Sequence, residues 1–179
     1  MLTECDVEFR LRQFRQAIDG LVPASKEPEK RNLCLLNVTL LDESELIYYS
    51  YSSTASLSTI TKQNLKARNF ELVPDVPPHL RVYTCGGMGQ YHTEPRLVNF
   101  FYHSPGLLEN TKSLLIATEI DCCTTCINYT IDAFVRANPN VEVWTDEFGM
   151  SPRAKRKPVF QYSGPVQFDG PPVYLPATN

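Results

Sequence analysis

Two short stretches decide how this chain reads: Tyr91-His92-Thr93-Glu94-Pro95 and Asp121-Cys122-Cys123-Thr124-Thr125-Cys126. Together they carry an imidazole, a carboxylate and a Cys-x-x-Cys pair. One histidine and two cysteines hold a zinc ion by three protein ligands and leave its fourth position for water. A structural zinc usually closes that position with another Cys or His. An open position is what hydrolytic zinc chemistry needs.

Each stretch is placed by its neighbours where a helix begins. Leu97, Val98, Phe101 and Tyr102 give an apolar face to a helix starting near His92, and Pro105-Gly106 ends it. Pro95 is tolerated in a first turn, where amides have no helical partner. A second helix is expected from Cys123 to Asn138, with Ile127, Ile131, Phe134 and Val135 at helical spacing. Residues three apart share a helix face, so Cys123 and Cys126 reach one metal. The amide dipoles at a helix start favour thiolate over thiol. Two strand-helix units side by side would bring both starts to one sheet edge, beyond the carboxyl ends of the strands.

Working outward, residues 5–21 read as an amphipathic helix through Val7, Leu11, Phe14 and Ile18, with Gly20 as its stop. Residues 22–30 read as a loop. Strands are expected over Leu33–Leu41 and Leu46–Tyr51, joined by an Asp42-Glu43-Ser44-Glu45 turn. A polar helix follows over 58–68, then a proline-interrupted loop through Pro78. A short strand is expected at His79–Thr84, and Cys85-Gly86-Gly87-Met88-Gly89 is a flexible loop. Further strands are expected over Lys112–Ile120 and Val141–Trp144. The fold class is α/β, a mixed β-sheet flanked by helices. The expected organisation is an N-terminal helix and linker at 1–30, a main domain at 31–149 and a proline-rich tail at 150–179.

By length the chain is one domain with a tail. The chain has 179 residues, 42% apolar, with a net charge of −3. That balance excludes a protein coated in basic charge, although a local basic stripe suffices for nucleic acid. Three of the six cysteines fall within 122–126, a metal-binding pattern in a reducing compartment rather than a disulfide scaffold. Cys5 and Cys34 are read as inert. No run of about 18 apolar residues exists, so no membrane span is expected. Residues 1–20 lack a basic start followed by an apolar run, so no secretion signal is expected there. Asn37-Val38-Thr39 and Asn128-Tyr129-Thr130 match the glycosylation pattern but fall in a strand and a helix. Arg153, Lys155, Arg156 and Lys157 form a basic cluster, read as a solvated charge run with phosphate contact as the alternative.

The pattern His92-Thr93-Glu94 followed by Cys123-Thr124-Thr125-Cys126 resembles the cytidine deaminase-like superfamily, whose signature is H-x-E and then P-C-x-x-C. Cys123 lies 31 residues after His92, suitable for one helix, a loop and one strand. Cys122 stands where the family has proline. Thr118-Glu119, just before the cysteines, makes the chain most similar to bacterial polymorphic-toxin deaminases. The resemblance covers about residues 31–146.

The resemblance implies a cytidine deaminase-like fold and one Zn2+ per chain, held by His92, Cys123 and Cys126, with Glu94 as the catalytic proton shuttle. It implies a base held by the backbone of Thr93, with Tyr91 and Trp144 as candidates to stack on it. The implied activity converts cytosine to uracil in nucleic acid, with single-stranded DNA favoured over duplex because a paired base must first be flipped out. The implied setting is a toxin delivered into the cytoplasm of a target cell and blocked by a cognate immunity protein. Two alternatives stand beside it. One is a deaminase of free nucleosides or nucleotides. The other is a non-catalytic module stabilised by zinc, whose fourth ligand would come from Cys122, Cys85 or His103. The bland reading of Glu94 alone is a carboxylate favoured by the helix dipole.

Overall fold

The computed structural model describes residues 1–26, 28, 31–52, 56–83, 92–120, 126–147 and 155–158. The elements in order are α1 (Glu4–Leu21), β1 (Leu33–Leu40), β2 (Glu45–Tyr51), α2 (Thr59–Ala67), α3 (Thr93–Tyr102), α4 (Pro105–Glu109) and β3 (Thr111–Thr118). A π-helical turn (Ile127–Ile131), α5 (Asp132–Ala137), β4 (Glu142–Glu147) and β5 (Lys155–Pro158) complete them. The strands form one mixed sheet in the order β2-β1-β3-β4-β5. Only β3 and β4 run parallel; the other neighbours are antiparallel. The fold is α/β.

Strand alternation sends successive side chains to opposite faces. On one face Leu33, Leu35, Tyr49, Leu115 and Ala117 pack with Val7, Phe14 and Ile18 of α1 and Leu65 of α2. On the other, Cys34, Leu36, Val38, Leu114, Ile116 and Val143 pack with Leu97, Val98 and Phe101 of α3 and Phe134 and Val135 of α5. The helix of residues 5–21 therefore forms as its spacing predicts, and Thr3 and Asp6 add a capping box at its start. It runs one residue past Gly20. Arg15 fastens it to the rest of the molecule: the guanidinium donates to both oxygens of Glu119, just after β3, and to the carbonyls of Pro28 and Arg31. Asn37, in the first glycosylation match, is fully buried and accepts from the Leu2 amide.

Several expectations are corrected. No strand forms over 79–83. Residues 78–80 make a 3-10 turn instead. The amides of Val82 and Tyr83 donate to Oδ1 of Asn99, and Asn99 Nδ2 donates to the Tyr83 carbonyl. A side-chain amide on α3 thus takes the hydrogen bonds a neighbouring strand would have taken. The Pro105-Gly106 pair does end α3, but Pro105 also opens α4, because proline fits a first helical position. The second helix is not α-helical throughout: the Asp132 amide bonds the Ile127 carbonyl five residues back. This wider turn breaks the Ile127–Ile131 spacing, leaving Ile131 buried and Ile127 exposed.

Residues 155–158, within the proline-rich segment, supply the edge strand. Their register sets Lys155 opposite Glu147 and Arg156 opposite Asp146. Among the described residues no helix is long and apolar enough to cross a membrane.

Candidate metal centre

The parallel pair β3 and β4 sets the position of the site. The carboxyl end of β3 lies at the same edge as the start of β1, because Cys34 is the register partner of Thr118. The start of α3 reaches this edge through Thr93, whose hydroxyl accepts from Cys34 Sγ at 2.9 Å and from Asn32 Nδ2 at 3.0 Å. So α3 is docked there by side chains of β1 and of the residue preceding it, not by a strand of its own.

At this edge His92, Glu94 and Cys126 come together, with one ligand atom from each within 4.8 Å of the others. His92 is the N-cap of α3 and makes no side-chain capping bond. Its Nδ1 lies 3.2 Å from Cys126 Sγ. Zinc bonds of about 2.3 Å to sulfur and about 2.0 Å to nitrogen in tetrahedral geometry put the two donors about 3.5 Å apart, which the observed spacing approaches. A nitrogen and a sulfur donor at this distance suit zinc. Cys126 is fully buried and Glu94 nearly so, at 2% exposure, whereas His92 keeps solvent access.

Glu94 sits in the first turn of α3, where the amide dipoles favour a carboxylate. Its Oε2 accepts from the Thr93 hydroxyl at 3.1 Å and lies 3.8 Å from Cys126 Sγ. Oε1 makes no hydrogen bond among the described residues. Cys34, below Thr93, is wholly buried. Burial, and next the Glu94 carboxylate, push its thiol well above the ordinary cysteine range, so it stays a neutral donor. This fits its reading as chemically inert.

The structure thus brings together His92, Glu94 and Cys126, with Thr93 beneath them. Cys123 and Tyr91, and the alternatives Cys122 and Cys85, lie outside the described residues. His103 is the C-cap of α3, at its far end, and its Nε2 lies 2.7 Å from the Leu80 carbonyl. Trp144 is not brought to the centre. It pairs in register with Leu115 and packs on the α1 face of the sheet, opposite α3 and α5. Thr118 and Glu119 have structural partners, Asn32 and Arg15 respectively.

Asn32 is the residue that sequence reasoning missed. It stands before an apolar strand, where an asparagine reads as a turn residue. The Ile120 amide can only donate, so it faces Asn32 Oδ1, at 3.0 Å. That orients Nδ2 toward Thr93 Oγ1 and Thr118 Oγ1, at 3.0 and 2.9 Å. Thr118 in turn donates to the Ile120 carbonyl at 2.6 Å. One amide therefore joins the start of α3 to the chain leaving β3 toward the cysteines.

No protein-family model, curated protein or solved structure matches the chain.

Proposed function

We propose that this chain is a zinc-dependent hydrolytic deaminase of the cytidine deaminase-like superfamily, converting cytosine to uracil in nucleic acid, with single-stranded DNA the favoured substrate. A toxin-type effector is the setting this reading implies. The observation that carries it is the grouping of His92, Glu94 and Cys126 at the carboxyl edge of the sheet. The spacing of His92-Thr93-Glu94 and Cys123-x-x-Cys126 supports it.

His92 and Cys126, with Cys123, would hold the metal. Bound zinc supplies a water acidic enough to ionise near pH 7. Glu94 does the proton work. Its Oε2 is held by Thr93, which leaves Oε1 to carry two protons in turn: the first from water to the ring nitrogen as hydroxide adds to C4, the second from the new C4 hydroxyl to the departing amino group. Water and cytosine thereby become uracil and ammonia. The partial burial of the centre strengthens these interactions, because fewer waters compete.

A second reading has its own support. Glu94 lies within ligand distance of the same centre, so it would close a structural zinc site if it coordinated. One comparison separates the two. The parent and Glu94→Gln are loaded with zinc and incubated with a mixed single-stranded DNA oligonucleotide. Mass spectrometry should show a gain of about 1 Da per converted base with the parent only, both proteins holding zinc. Zinc loss in Glu94→Gln with no product from the parent on DNA, RNA or free cytidine would establish the structural site instead.

A further inference from the structure

We propose that Asn32 is a positioning residue for the proton shuttle, acting through the hydroxyl of Thr93; the inference rests on the deaminase reading above.

The geometry is a chain of donors with one direction. The Ile120 amide faces Asn32 Oδ1, so Asn32 Nδ2 is the group aimed at Thr93 Oγ1. Cys34 Sγ donates to the same oxygen. A hydroxyl has two acceptor positions and one hydrogen. Both acceptor positions of Thr93 are thereby filled, and its hydrogen is left to donate to Glu94 Oε2. Thr93 is fully buried, so water does not compete for that hydrogen.

The consequence is asymmetric. The carboxylate of Glu94 cannot rotate without giving up the Thr93 bond, so the same oxygen always faces the helix start and the other carries the proton. An aspartate at position 32 would keep an acceptor for the Ile120 amide but remove the donor to Thr93. The Thr93 hydrogen would then have a second carboxylate to turn to, and Glu94 would lose its hold. Outer-shell partners of this kind typically contribute 10–100-fold in activity.

The test uses Asn32→Asp, Thr93→Val, the double variant and Thr93→Ser, each loaded with zinc and measured on single-stranded DNA. Asn32→Asp and Thr93→Val should each lower kcat by about 10- to 100-fold, with KM within about threefold of the parent and zinc content unchanged. The double variant should be no slower than Thr93→Val, because both changes remove one interaction. Thr93→Ser, which keeps the hydroxyl, should stay within about fivefold of the parent. Multiplying losses in the double variant, a parent-like Asn32→Asp, or zinc loss in Asn32→Asp would overturn the positioning role and leave the deaminase reading standing. If Asn32→Asp does not fold, Asn32→Ala, which also removes the donor to Thr93, is held to the same outcomes. A zinc-loaded parent without product on any nucleic acid or nucleoside overturns the reading and the inference together.

Discussion

Trp144 and Asn32 are a matched pair of lessons at the residue scale. Trp144, at the end of an expected strand, was a candidate to stack on the base, and Asn32 carried no expectation at all. The fold gives each a different part. Trp144 faces the α1 layer, because its position in β4 has the parity of Leu115 in β3. Asn32 bridges the start of α3, the end of β3 and the chain leaving it, at the candidate metal centre. Trp144→Phe should therefore leave kcat and KM on an oligonucleotide within about twofold of the parent, since loss of one interaction outside the site changes no transition-state contact. A KM raised tenfold or more would put the indole in the substrate path. The histidine, the carboxylate and the last cysteine were legible beforehand, because three residue types at fixed offsets encode their own chemistry.

At the scale of elements, helices carried their own punctuation and strands did not. The Thr3–Asp6 capping box starts α1, and Ser58 caps α2 through the Thr61 amide. The Thr3 hydroxyl, and next its backbone amide, hold the Asp6 carboxyl below its ordinary 3.8. A depressed carboxyl contributes stability that is present above the unfolded value and lost as pH falls through the folded one. Asp6→Asn should thus melt below the parent near neutral pH, and the gap should close as pH falls below about 3.8. A gap constant down to about pH 2 would mean that the ionised form is not what the cap uses. The unformed strand at 79–83 has a tertiary cause: the Asn99 side chain accepts the amides of Val82 and Tyr83.

For the whole molecule, the question is whether α1 belongs to the core. Residues 1–30 read from sequence as a helix and linker beside the main domain. In the fold, Phe14 is fully buried between Tyr49 and Phe70, with ring centroids 4.8 and 5.2 Å away. Arg15 adds the link to Glu119, just after β3. Phe14→Ala should cost about 3–5 kcal/mol of unfolding free energy in one cooperative urea transition. A loss under about 1 kcal/mol, or an early separate transition, would make α1 an appendage.

Sequence alone determined the helices with strong 3.6-residue spacing, the β1–β2 hairpin, the apolar strands and the residue types of the centre. Those properties are local: periodicity, turn residues and donor chemistry are written within a few positions of one another. Tertiary structure alone decided which sheet face each side chain joins, that the α3 start is docked by Cys34 and Asn32, and that Thr93 must donate to Glu94. Such facts depend on groups as many as 61 residues apart, and a hydrogen bond across that separation leaves no periodic trace in either segment.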